Sequence, residues 1–173
     1  MPGAIIIGAG PGIGTSVAKR VAREGLATTV LARTPATVKT VLTPLSGIAA
    51  ATLGLTADVT DEPALRAALD VAVDQFGVPD LLIYNAARIQ WDVFGELSAE
   101  QHLDAYAVNV VGAMTAIAHI GPAMATAGHG TILITGGMPD PLPEVTSLSL
   151  GKAGVRALTD LSSFGISRVM AGL

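Results

Sequence analysis

The chain has 173 residues, of which 50% are hydrophobic, 14% charged and 3% aromatic, with a formal net charge of −4 and a mean hydropathy of +0.57. That composition excludes an intrinsically disordered chain, and an acidic balance without a Lys/Arg cluster argues against a nucleic-acid partner. The absence of cysteine excludes disulfides, a thiol nucleophile and a Cys-ligated zinc, so one domain over 1–173 is expected to be held by an Ala, Val, Ile and Leu core.

Met1-Pro2-Gly3-Ala4 has no basic stretch ahead of an apolar run, so no signal peptide is expected and the cytoplasm is the default compartment. Residues 4–7 read as a strand that runs into Gly8-Ala9-Gly10-Pro11-Gly12-Ile13-Gly14. A helix over 15–24 follows, with Val17, Ala18, Val21 and Ala22 on one face. Residues 28–32 form a second strand, and Thr34-Pro35 opens a helix to about Leu45. A third strand over 51–56 leads to Asp58-Val59-Thr60-Asp61, where Thr60 or Asp61 caps the next helix. Leu65, Leu69, Ala72 and Phe76 recur at helical spacing until Gly77 stops the run. The fourth strand, 81–84, is followed by Asn85-Ala86-Ala87, and Ser98 caps a long helix that ends near Gly128. Residues 131–135 form a fifth strand and 145–162 a final helix around Lys152, with room for one short strand at 166–170.

From Ala105 to Pro139 there is no Asp, Glu, Lys or Arg, yet Asn109, His119, Pro122, Gly128 and Gly130 interrupt the run. A helix apolar on most sides is read as buried in a core or a subunit interface rather than in a membrane. Exposed apolar faces of this kind favour a homo-oligomer.

Alternating strands and helices predict an α/β fold of three layers, a doubly wound parallel sheet of the Rossmann type, in the order 3-2-1-4-5. The glycine turn lies between the first strand and its helix, where bare amides and the helix dipole favour phosphate. The spacing of Gly8, Gly12 and Gly14 resembles the motif of the short-chain dehydrogenase/reductase family. Along the chain, Asp58-Val59, Asn85-Ala86-Ala87, Asn109 and Lys152 stand in the order of that family's landmarks. The resemblance implies a dinucleotide held by Gly8, Gly10, Pro11, Gly12, Ile13, Gly14, Asp58, Val59, Asn85, Ala86, Ala87 and Lys152. Arg33 lies just past the second strand, and no acid occurs between Leu26 and Thr56. An arginine there suits a 2′-phosphate, so NADP is expected rather than NAD.

The implied reaction is hydride transfer between a carbonyl and an alcohol of a small molecule, with Asn109, Lys152 and Thr135 as site residues. The family's proton donor is a tyrosine four positions before the lysine, where this chain has Leu148. Its serine falls at Gly137 or Thr135, depending on the end from which the loop is counted. The family's sheet continues past this helix, whereas here five or six strands are expected, leaving the site open or completed by a second subunit. An alternative reading is a catalytically impaired relative that keeps the nucleotide and acts as a sensor or scaffold. The histidines, His102, His119 and His129, are too scattered for a metal site. Trp91 and Phe94 are candidates to wall a substrate pocket.

Overall fold

The computed structural model describes residues 2–171, with side chains described as far as Ser162. Five parallel strands, β1 (Gly3–Ile7), β2 (Ala27–Ala32), β3 (Thr52–Thr56), β4 (Leu81–Tyr84) and β5 (Thr131–Ile134), form one sheet in the order β3-β2-β1-β4-β5. Ile5 lies opposite both Thr29 and Leu82, and Ile7 opposite Leu31 and Tyr84. Every residue of β1 and β2 is buried. This burial on both faces is why β1 reads as an unbroken apolar run, and β2 as one broken only by the buried Thr28 and Thr29, instead of alternating.

Each face of the sheet carries its own core. Ile5, Ile7, Leu31, Leu82 and Tyr84 meet Leu65 and Leu69 of α3 (Glu62–Phe76) and Ala113 and Ile120 of α5 (Gly112–Ala127). Ala4, Ile6, Val30 and Ile83 point the other way, against Ala18 and Val21 of α1 (Ile13–Arg23) and Val38 and Val41 of α2 (Pro35–Leu42). The two-residue period of β1 thus supplies both layers.

The helix ends follow local chemistry. Thr34 caps α2 by accepting from the Thr37 amide, and Asp61 caps α3 by accepting from Ala64 at 3.0 Å. Ser98 and Gln101 form a reciprocal capping box at the start of α4 (Ala99–Tyr106). The helix expected to run to about Leu45 stops at Leu42 and tightens into a 3-10 turn over Thr43–Leu45, because Pro44 has no N–H to continue the ladder. The long apolar helix is interrupted by a π-helical turn over Ala107–Val111 before α5 begins. The short strand expected at 166–170 is not formed: α6 runs unbroken from Thr146 to Ala171.

The run Ala99–Ala127 is long and apolar enough to cross a membrane by length and composition alone, and 50% of its most apolar window is buried inside the molecule. It packs on α3 with a polar tie at the rim. Arg66 Nη1 lies 3.0 Å from His119 Nδ1, and His119 Nε2 lies 2.7 Å from Asp70. Arginine can only donate, so Nδ1 accepts and Nε2 carries the proton shared with Asp70. Among the described residues, no group of His, Asp and Glu is arranged to hold a metal.

Leu69 is fully buried between α3 and the sheet, whereas Val71 on the same helix is 48% exposed. Leu69→Ala is expected to lower the unfolding free energy by about 2–5 kcal/mol, and Val71→Ala to change it by less than about 0.5 kcal/mol. Urea denaturation of the two variants checks this, and equal effects would contradict the core assignment.

Candidate functional site

All five parallel strands deliver their carboxyl ends to one edge of the sheet, where a cleft of about 1000 Å³ opens. Its first wall is the turn after β1. Gly8 has φ +77°, and a Cβ there would run into the backbone of Asn85 and Ala86. Gly14 packs as tightly, since a Cβ would stand 2.6 Å from Ala9 Cα. Gly10 and Gly12 face open space instead. Two glycines therefore permit close packing and two keep the cleft bare. The Gly8 and Ala9 amides are used by the Leu31 carbonyl at 2.9 and 3.0 Å, and Thr15 folds back onto the Gly10 carbonyl. The first turn of α1 has no side-chain cap, and its opening residues Ile13 and Gly14 border the cleft. That leaves a helix N-terminus with its partial positive charge beside an open space, which suits an anion.

The second wall comes from β2 and β3. Arg33 is exposed on the rim, next to Thr34 and Thr37 at the start of α2. Asp58 accepts from the Thr60 amide at 2.9 Å and from its hydroxyl at 2.8 Å. The bond from the Thr60 amide holds the Asp58 carboxyl below its ordinary range, with help from the Thr60 hydroxyl and the Arg33 charge against partial burial. Asp58 thus orders its own turn and borders the cleft with Val59.

The third wall is the loop after β4. Asn85 donates to the Gly8 carbonyl at 2.9 Å, locking this loop onto the glycine turn. Asn109 sits in the π turn, is 3% exposed and does not line the cleft. Its Oδ1 accepts from the Arg88 amide at 2.9 Å and its Nδ2 donates to the Arg88 carbonyl at 3.4 Å. Both ends of the amide therefore grip one peptide segment, which satisfies a polar group buried in an apolar helix. Trp91 and Phe94 do not wall the pocket: they are 80% and 93% exposed and lie outside the cleft, whereas Ile89 borders it.

The last wall joins β5 to α6. Lys152 is half-buried and donates from Nζ to the Thr135 carbonyl at 2.8 Å. Burial pushes its amine below the ordinary lysine value of 10.5. Thr135 lines the cleft, and its hydroxyl lies 3.5 Å from the Tyr84 carbonyl. Gly137 is not among the lining residues, but Gly136 and Met138 are. Leu148 borders the same end of the cleft, one helical turn before Lys152, and is 8% exposed.

The structure brings Gly8, Gly10, Gly12, Ile13, Gly14, Arg33, Asp58, Val59, Asn85, Ala86, Ala87, Thr135 and Lys152 around one space. Pro11 is exposed outside it, and Asn109 lies behind it. The sequence reading missed Thr34, Thr37, Arg88 and Val108 as lining residues. Thr34 and Arg88 were findable by position, since each closely follows the carboxyl end of a parallel strand. Val108 carried no signal, because the π turn that presents it looks like ordinary apolar helix.

A family model described as short chain dehydrogenase matches residues 3–167. The short-chain reductase protein NovJ of Streptomyces niveus is 34% identical over 131 residues, covering 75% of this chain and 50% of that protein. A short-chain type dehydrogenase/reductase from Mycobacterium marinum superposes with a TM-score of 0.90 at 26% identity, covering 98% of this chain and 70% of that one. A variant of actinorhodin polyketide ketoreductase with NADPH gives a TM-score of 0.90 at 27% identity, covering 98% and 67%. The chain spans about half the length of the curated relatives it matches.

Two outcomes follow from these contacts. Asn109→Ala removes the side-chain partner of the part-buried Arg88 peptide groups, so stability is expected to fall by about 1–3 kcal/mol, with faster hydrogen exchange at the Arg88 amide. A second concerns Lys152. Its folded pKa lies below 10.5, so between the two values the unfolded chain binds the extra proton and stability rises with pH. Lys152→Met is expected to flatten that rise in denaturation curves collected across mildly alkaline pH.

Proposed function

Because the chain belongs to the short-chain dehydrogenase family, we propose that it binds NADP(H) along this cleft and acts as an oxidoreductase on a carbonyl or alcohol of a small molecule. The observation that carries the reading is the uncapped start of α1 beside the open glycines, at one end of a cleft whose other end holds a half-buried amine. The residues fit such a group. A diphosphate requires bare amides and space without side chains, which Gly10 and Gly12 provide. In this reading Asp58 and Val59 take the adenine end and Arg33 with Thr34 a ribose phosphate; an exposed arginine on the rim supports NADP over NAD.

When bound, the nicotinamide supplies or accepts the hydride. The chain's own part is to hold the reactants and manage the proton. Lys152 is the amine available at that end of the cleft, and Thr135 offers a hydroxyl beside it. Asn109 serves by fixing the Arg88 segment of the cleft wall. A second reading rests on Leu148, which stands where the family resemblance places a proton-donating tyrosine. A hydrocarbon cannot transfer a proton, so under that reading the protein keeps the nucleotide as a sensor or scaffold and turns over little or nothing. A cytoplasmic homo-oligomer remains part of the proposal.

Nucleotide titration separates these readings. Arg33→Ala is expected to weaken NADPH by about ten- to a hundredfold, the worth of a charged hydrogen bond, and NADH by less than about threefold. Equal loss for both would overturn the NADP preference. On a panel of aldehydes and ketones, NADPH turnover by the native chain that disappears in Lys152→Ala supports the oxidoreductase. Turnover seen only in Leu148→Tyr supports the impaired reading.

A further inference from the structure

The loop over 86–98 inverts the usual partition of side chains. Trp91, Val93 and Phe94 are 80%, 53% and 93% exposed, while Asp92 between them is only 1% exposed. A carboxylate leaves water at this cost only when donors are waiting for it. Asp92 Oδ2 accepts from the Ser147 amide at 2.9 Å, and Oδ1 accepts from the Ser147 hydroxyl at 2.7 Å. The backbone repeats the connection. The Asp92 amide donates to the Glu144 carbonyl at 3.1 Å, and the Thr146 amide donates to the Asp92 carbonyl at 3.0 Å, making a parallel bridge to Val145. Gln90 adds a bond to the Ser147 hydroxyl at 3.3 Å. Ser147 lies in the first turn of α6, so the carboxylate takes one of the orphan amides and sits at the positive end of the helix dipole.

We propose that Asp92 is a positioning residue for the cleft: by clamping the first turn of α6 to the loop after β4, it fixes where Lys152 stands. Lys152 follows Ser147 by five residues, about 7.5 Å along the helix axis, so a shift of the first turn carries the amine with it. The other ties on this stretch act in the same direction. Gly151 is pressed on Asn109, where a Cβ would come within 2.7 Å of the asparagine Cβ, and Lys152 Nζ reaches the Thr135 carbonyl. The clamp therefore joins the loop after β4 to the helix that supplies the cleft's amine, across two separate segments of the chain. The inference deepens the functional reading above and rests on it, because the position of Lys152 matters to function only if the cleft takes a dinucleotide.

The test follows the Lys152 amine itself, by NMR of the full chain carrying 13C-methylated lysines, without nucleotide. In Asp92→Ala the released amine gains water, and its titration midpoint is expected to rise by roughly half a pH unit or more. Loss of the Asp92 charge alone would move a cation's midpoint the other way, so a fall or no change overturns the proposal. Should Asp92→Ala not fold, Ser147→Ala decides. It removes the hydroxyl bond while leaving every charge in place, and a midpoint identical to the native one overturns the proposal. In a separate arm, NADPH affinity is expected to drop about fivefold in Asp92→Ala, one hydrogen bond's worth, and to return in Asp92→Asn, which keeps an acceptor for the Ser147 amide. A native chain that does not bind NADPH defeats the functional reading, while the lysine titration still decides the role of Asp92.

Discussion

A backbone-on-backbone contact between the first and fourth strands is the constraint from which the site follows. Gly8 adopts φ +77° and lies so near Ala86 that no side chain fits between them. Asn85 seals the contact from both sides, its amide donating to the Ile7 carbonyl and its side chain to the Gly8 carbonyl. The strand order β3-β2-β1-β4-β5 reverses direction between β1 and β4, so α1 and the helix after β4 leave toward opposite faces of the sheet and a crevice opens between them. One glycine thus sets the distance between the phosphate-type turn and the loop that carries Arg88.

The π turn is the second device, and it explains an otherwise expensive asparagine. Tyr84 at the end of β4 is fully buried and donates its hydroxyl to the Val108 carbonyl at 2.6 Å. Burial raises the phenol's pKa, so it stays a donor across ordinary pH. Gly112 makes room, since a Cβ there would strike the Tyr84 hydroxyl and crowd Val59. Widening the helix over Ala107–Val111 turns Asn109 toward the Arg88 peptide and Val108 toward the cleft.

Much of this was legible in the sequence, for physical reasons particular to each element. β1 is buried on both faces and so reads as a plain apolar run, with β2 broken only by Thr28 and Thr29; Thr34, Asp61 and Ser98 announce helix starts because a side-chain oxygen must meet a free amide. The glycine turn, Asp58, Asn85 and Lys152 fall at strand ends or on a helix facing that edge, where a parallel sheet gathers its ligand groups. Other features leave no local trace. Asp92 reads as a solvated residue in a polar-to-apolar loop, since its donors come from Ser147, 55 positions away. Asn109 was placed correctly on its helix but not in its contacts, because the π turn has the composition of the helix around it. Residues 166–170 have the apolar, β-branched look of a strand, yet α6 continues through them, since intrinsic propensity over five residues is a weak signal.

The chemistry that remains open to the cleft turns on Lys152. Its amine is half-buried, bonded to the Thr135 carbonyl and pushed below the ordinary lysine range by desolvation. Desolvation by burial is the cause of that shift, since it disfavours the charged form. A lysine eased in this way gives up a proton more readily than one in water, which is what an oxyanion developing on a substrate requires. Leu148, one turn earlier on the same helix, is 8% exposed and lines the same end of the cleft, so hydrocarbon borders this end beside the amine. Leucine has no proton to give, so at this end of the cleft the half-buried Lys152 amine is the ionisable group beside it.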